Sequence, residues 1–251
     1  GLNTLATGGT ASAQATSSNT NIVRATAIAG ARLSGISTQL EVRQLAQAQA
    51  TASAPLADRT AAIGTGTLSL QLGTATTTNG VITGFTAGST AAVDITIDGS
   101  NSSLEGIAAA INSAGAGVTA TIISDSAGAR LALKGATGEA QAFTLTATED
   151  VGAEGLAALN IGVGSTVGTA AQDAIVAVDG TALKRSTNSI SDLVDGVRLD
   201  LVAASVGTTV SLTSSTPTDS LGQVVNDYIA AFNNLQSKLR AQTTAVVGPV
   251  R

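Results

Sequence analysis

The scarcity of large side chains is the feature that most limits what this chain can fold into. Its 251 residues include three Phe and one Tyr, and no Trp, Met or Cys. Much of the 43% hydrophobic content is alanine. Small and β-branched side chains pack well on the pleated surface of a sheet. We therefore expect thin cores and a mostly β chain.

The chain contains no His and no Cys, which excludes Ser-His-Asp and Cys-His nucleophiles, Cys/His zinc sites, haem ligation and iron–sulfur clusters. Carboxylates, Lys and hydroxyls remain. Asp94 and Asp98 lie four residues apart on one predicted strand, so they share a face. A solvated face is the favoured interpretation, and a calcium site the less favoured one. We predict no catalytic, cofactor-binding or metal site, and hence a protein that is not an enzyme.

Charge and hydropathy exclude two further classes of partner. Twelve basic and seventeen acidic residues give a net charge of −5, without a run of Lys or Arg, which argues against nucleic acid. No apolar stretch reaches the ~18 residues of a membrane span, and the N-terminus lacks the layout of a secretory signal. Because no Met is present, we expect an internal fragment of a longer chain.

Period-two alternation predicts strands over 22–28, 40–43, 67–72 and 93–98. The Ala/Gln stretch 44–54 is ambiguous between helix and strand and is assigned as strand. We expect the third strand to stop at Gly73 and residues 74–89 to form a loop. Further predicted strands cover 118–124, 129–134, 143–146, 174–178, 181–183, 197–201 and 209–212. Asp179-Gly180 and Asp195-Gly196 are typical of hairpin turns.

Two helices are predicted. Ser102 and Glu105 form a capping box, followed by an apolar stripe at Leu104, Ile107, Ala108 and Ile111. A second helix begins near Thr216, with Pro217 as its first residue. Its apolar residues recur near heptad spacing and are candidates for packing between subunits or in a helical leg: Leu221, Val224, Tyr228, Phe232, Leu235 and Leu239. Such a helix needs a partner, which we expect in a missing segment or in another subunit; packing within the chain is the alternative.

One charged group is a candidate for ion pairs between subunits: Lys184, Arg185, Asp192 and Asp195. The favoured alternative is that these residues decorate a hairpin surface.

The predicted fold class is α+β, mostly β. We expect residues 1–17 to be a linker or leg remnant. Residues 18–61 and 169–215 would form a discontinuous antiparallel β domain, with an inserted β-plus-helix domain over 62–168. Residues 216–251 would be the remnant of a leg helix.

Several segments, in a consistent order, resemble the flagellar filament cap family, hook-associated protein 2. The run Gln-Leu-Ala-Gln-Ala-Gln at 44–49 is the closest match, preceded by Ser17-Ser18 and followed by Gly64-Thr65-Gly66. Leu104, Ile107, Ile111 and Asn112 resemble the flagellar hook IN motif. Segments 171–180, 196–199 and 228–233 also resemble the cap family.

The resemblance implies an oligomeric plate at the distal end of the flagellar filament, extracellular, which promotes folding and insertion of flagellin. It implies these partners: further copies of the chain, flagellin, the hook–filament junction proteins and an export chaperone. It also implies passage through the flagellar export apparatus without a cleavable signal peptide. The alternatives are a hook–filament junction protein, a flagellin outer domain, and an extracellular adhesin or glycan-binding module.

Overall fold

The computed structural model describes residues 14–31, 33, 35–215 and 218–246, and of these it describes 215, 218–224 and 241–246 by their backbone alone. Within these ranges the chain forms sixteen strands and two α-helices. The first eight strands are β1 Gln14–Ser17, β2 Val23–Ala27, β3 Ser37–Gln44, β4 Ala48–Ala52, β5 Gly66–Thr78, β6 Val81–Ala87, β7 Val93–Ile97 and β8 Thr119–Asp125. The others are β9 Gly128–Thr137, β10 Ala142–Glu149, β11 Val167–Thr169, β12 Ala174–Val178, β13 Thr181–Arg185, β14 Ser189–Val194, β15 Val197–Leu201 and β16 Val210–Ser215. The helices are α1 Leu104–Ala114 and α2 Thr218–Val246.

A discontinuous domain is built from both ends of the described chain. Its larger sheet has the order β1-β16-β3-β12-β13, and its smaller sheet has the order β14-β15-β2. All of these strand pairs are antiparallel. The core between them is built from aliphatic side chains, among them Leu40, Val42, Val176, Leu199 and Leu212.

An inserted domain carries the second core. One sheet has the order β10-β5-β6 with β7 also paired to β5, and the other has the order β11-β4-β9-β8. Helix α1 buries Leu104, Ile107, Ala108 and Ile111 against this core, as predicted. Phe143 is the single aromatic side chain in the buried set of either core. The mostly β, α+β fold with an insertion is therefore confirmed.

The chain first passes from the discontinuous domain to the inserted domain at an earlier residue than the sequence predicted. The prediction put it at residue 61, but β4 pairs with β9 and β11 of the inserted domain. The chain therefore leaves β3 at Gln44 and enters the inserted domain at Ala48. Strand β4 was expected, but the sheet that it joins is set by partners about 80 to 120 residues later in the chain.

The predicted loop over 74–89 is wrong. Strand β5 continues through Gly73 to Thr78 and forms a hairpin with β6. Asn79 and Gly80 make the turn, with φ of 51° and 77°, the left-handed values that a tight hairpin turn needs. Gly73 does not stop the strand; it allows β6 to approach closely, because a Cβ there would clash with the Thr86 carbonyl oxygen and would lie 2.8 Å from the Phe85 ring.

Smaller differences concern α1 and three short strands. The N-cap of α1 is Ser103, whose hydroxyl accepts a hydrogen bond from the Gly106 amide at 3.2 Å, and not Ser102 as predicted. Glu105 accepts instead from Arg59. Strands β1, β11 and β14 were not predicted. Residues 1–17 were expected to be a linker or leg remnant, but Gln14–Ser17 pairs with β16 in the larger sheet. Strand β11 has only three residues, and the Asp-Gly turn after β14 was recognised without the strand before it.

Candidate assembly surface

Helix α2 follows β16, the strand next to the edge strand of the larger sheet. The edge strand β1 pairs with β16, with Gln14 opposite Ser215. Strand β16 precedes α2 in the chain, so the beginning of β1 and the end of β16 lie beside each other. Thr216 and Pro217, the predicted first residues of the helix, lie outside the described residues.

The apolar stripe of α2 is exposed in this chain. Tyr228 is 61% exposed, Phe232 50% and Leu235 57%. Leu239, another predicted stripe residue, is similarly exposed, and so are Val225 and Ile229, which the prediction did not include. Side chains of Leu221 and Val224 lie outside the described set. A role of the stripe in leg or intersubunit packing stays a prediction.

Val225 improves the heptad pattern. With it, the spacing 225, 228, 232, 235 and 239 alternates three and four residues, which is the seam of a coiled coil. The alternation could have been found from the sequence alone, by testing each candidate against the full heptad instead of accepting Val224. We name Val225, Tyr228, Phe232, Leu235 and Leu239 the heptad stripe.

The predicted intersubunit ion pairs make contacts within the chain. The Arg185 Nε lies 3.0 Å from both carboxylate oxygens of Asp192, and hydrogen bonding from Arg185 lowers the pKa of Asp192. Lys184 reaches Glu139 of the inserted domain at 2.8 Å, and that hydrogen bond raises the Lys184 pKa. Asp195 lies in the turn between β14 and β15. Intersubunit pairing by these residues stays a prediction.

Asn112 of the IN motif ties α1 to the sheet. Its amide nitrogen donates to the Ala120 carbonyl at 2.9 Å, and its Oδ1 accepts from the Ala120 amide at 2.8 Å. Ala120 lies on β8, an edge strand, so Asn112 occupies two backbone groups that another strand would otherwise bind. Leu104, Ile107 and Ile111 are buried, and the motif therefore has a structural role.

Asp98 and Asp94, the two carboxylates considered for a calcium site, lie in different surroundings. Asp98 accepts from the Ser100 hydroxyl at 2.6 Å and the Ser100 amide at 2.8 Å, and these bonds lower its pKa. Asp94 lies on the exposed face of β7, where solvent reaches it. No group of three metal-ligating side chains comes together in the described part of the chain.

Neither α1 nor the described length of α2 combines the extent and apolar character needed to cross a lipid bilayer.

Comparison with known proteins gives a consistent result. The family model for the flagellar hook-associated protein 2 C-terminus matches residues 171–247, and the model for the flagellin hook IN motif matches residues 67–137. The B-type flagellar hook-associated protein 2 of Pseudomonas aeruginosa is 32% identical over 247 residues, covering 91% of this chain. The match covers 48% of that relative, so the chain spans about half its length.

The fold is also found in solved structures. The D2-D3 domains of the Escherichia coli flagellar cap protein FliD have a TM-score of 0.66 and 31% identity, with 81% of this chain and 99% of that one covered. FliD (HAP2) from Pseudomonas aeruginosa has a TM-score of 0.66 and 28% identity, with 92% and 99% covered. The E. coli D1-D2-D3 structure has the same TM-score and 31% identity, with 89% and 62% covered.

Proposed function

Because this chain belongs to the flagellar cap proteins of the hook-associated protein 2 family, we propose that the protein containing it caps the distal end of the bacterial flagellar filament. The described domains would form the head of an oligomeric plate, and α2 would continue into a leg that contacts the filament. Flagellin subunits would fold and insert beneath the plate. The role is structural and extracellular, and it needs no catalytic group.

The observation that carries this proposal is the heptad stripe, together with the pairing of β16, the strand that precedes α2, with the edge strand β1. Five apolar side chains at coiled-coil spacing are about half exposed or more, and burying each on a helical partner would contribute roughly 1 kcal/mol or more. Gln14, at the beginning of β1, lies opposite Ser215, at the end of the strand that precedes α2. The partner that we propose for the stripe is the segment of the longer protein that leads into β1.

Further partners belong to the same proposal. Self-association, contact with flagellin and with the hook–filament junction proteins, and an export chaperone for the full-length protein follow from the cap role. Export would use the flagellar apparatus without a cleavable signal peptide. The two Escherichia coli structures are named as flagellar cap proteins, which does not favour a junction protein, a flagellin outer domain or an adhesin.

The test is complementation of a strain that lacks the gene for the full-length protein. The wild-type gene should restore swimming and keep flagellin in filaments. A double variant, Phe232→Ser with Leu235→Ser, should leave filaments short and release unpolymerised flagellin into the medium. The matched control is Asn234→Ser, on the same turn of α2 but outside the stripe. It should behave as wild type.

The two parts of the proposal fail separately. If the deletion strain assembles full-length filaments without any added gene, the cap function is wrong. If the deletion abolishes filaments but the double variant restores them fully, capping stands and the assigned role of the stripe is wrong.

A further inference from the structure

Two short segments cross between the discontinuous and the inserted domain, residues 45–47 and 170–173. They are paired with each other: the Gln47 amide donates to the Gln172 carbonyl at 2.9 Å, and the Gln172 amide donates to the Gln47 carbonyl at 3.1 Å. Neither segment contains glycine or proline. The crossing is therefore a two-stranded ribbon that continues the sheets, and not a flexible linker.

Side-chain amides bind the rest of the backbone at this crossing. Gln44 donates to the Asp173 carbonyl at 2.7 Å, and Gln172 donates to the Leu45 carbonyl at 3.0 Å. Asn188 binds both polar groups of Ala46, accepting from its amide at 2.7 Å and donating to its carbonyl at 2.9 Å. A hinge must change its φ and ψ angles, and here such a change would break several hydrogen bonds at once.

A second contact lies beside the ribbon. The turn at Gly138 in the inserted domain sits against Ser186 of the discontinuous domain, so closely that a Cβ on Gly138 would lie 2.8 Å from the Ser186 Cβ. The next residue, Glu139, donates its amide to Asp173 at 2.8 Å and pairs with Lys184 at 2.8 Å. Two separate contacts restrain rotation about the ribbon as well as bending.

We propose that Gln44, Gln172 and Asn188 are positioning residues that make the two domains one rigid body, with the contact of Gly138 on Ser186 setting the angle between them. Relative motion is the usual expectation for domains joined by a small polar interface. In this chain the amide network opposes such motion, so we expect the two domains to keep a fixed relative orientation. This inference concerns the chain by itself and does not depend on the proposed cap function.

The absence of cysteine allows a direct distance measurement in the whole chain. Ala29→Cys and Ser126→Cys place one spin label in each domain, at exposed turn positions. Pulsed electron paramagnetic resonance should give one narrow distance distribution. Combining Gln172→Ala with Asn188→Ala should broaden that distribution by roughly twofold or more, because the hinge angles are then released.

The matched control removes amide bonds of the same kind inside one domain. Gln71 donates to the Leu72 and Thr90 carbonyls, and Asn160 accepts from the Ala147 amide, all within the inserted domain. Gln71→Ala with Asn160→Ala should lower the thermal stability without widening the distribution. A merely structural role for Gln172 and Asn188 would make the two double variants alike.

Several results would overturn the proposal. A broad distribution in the parent chain would show that the domains move, and an unchanged width in the junction variant would show that the amides do not restrain them. If circular dichroism finds the double variant unfolded, the single variant Gln172→Ala, which keeps the backbone ribbon, is measured instead. Its distance distribution should also be wider than that of the parent chain. Gly138→Ala should shift the mean distance without widening the distribution. An unshifted mean would show that the contact of Gly138 on Ser186 does not set the angle between the domains.

Discussion

At the scale of single residues, Gln49 is a buried side chain that connects the two sheets of the inserted domain. It is 1% exposed. Its amide nitrogen donates to the Phe143 carbonyl at 2.9 Å, and its Oε1 accepts from the Phe143 amide at 3.0 Å. Gln49 lies on β4 and Phe143 on β10, in different sheets of the inserted domain. One glutamine thus joins the two sheets through the core.

Replacing Gln49 by alanine should destabilise the chain strongly. Gln49→Ala leaves a buried amide and a buried carbonyl of Phe143 without this partner, at a cost of about 2–4 kcal/mol for the two groups. Gln47→Ala, two residues earlier at an exposed position, should change the free energy of unfolding by no more than about 0.5 kcal/mol. Urea denaturation measures both. Equal losses in the two variants would contradict this account of Gln49.

At the scale of elements, the sequence predicted most strands and both helices, because alternation and heptad spacing are local signals. It failed for the β5–β6 hairpin. The Thr-rich run after Gly73 was assigned as loop, although Thr favours strands and Asn-Gly is a strong hairpin signal. The roles of Gln49 and Asn188 carry no local signal, since their partners lie 94 and 142 residues away.

The turn between β5 and β6 gives the prediction at this scale. Asn79 has a φ of 51°, which a β-branched residue adopts at a cost of about 1–2 kcal/mol. Asn79→Val should therefore destabilise the chain by about that amount. Asn79→Gly, the matched control, accepts the same φ without that cost and should remain close to wild type in urea denaturation. A Val variant as stable as the Gly variant would mean that the turn changes type.

At the scale of the whole molecule, the sequence indicated an insertion but placed its boundary wrongly. The boundary depends on which sheet β4 joins, and β4 itself, with the sequence Ala-Gln-Ala-Thr-Ala, suits either. Its partner β9 decides the matter by packing Leu131 and Leu133 into the second core. Such a choice is made by contacts with residues about 80 positions later in the chain, which is why local periodicity missed it.

The absence of His and Cys determines how the stability of the whole molecule depends on pH. Hydrogen bonds hold the pKa of each of three carboxyl groups, Glu41, Asp98 and Asp192, below the ordinary value for that residue type. Each of these carboxylates contributes stability that is present above its unfolded pKa and is lost as the pH falls through its folded pKa. Glu139 raises the pKa of Lys184; that contribution is present below the unfolded pKa of Lys184 and is lost as the pH rises through its folded pKa.

The urea midpoint should therefore stay constant between about pH 5 and about pH 9, because no side chain of this chain has its ordinary pKa in that range. At a pH lower than about 4 the carboxylates become protonated, and the midpoint should decrease. Asp192→Asn should lower the midpoint at pH 7 and leave a smaller acid loss, because one of the responsible carboxylates is gone. Thr187→Ala, an exposed neutral change nearby, should keep the wild-type pH dependence. A midpoint that changes between pH 5 and pH 9 would contradict this account.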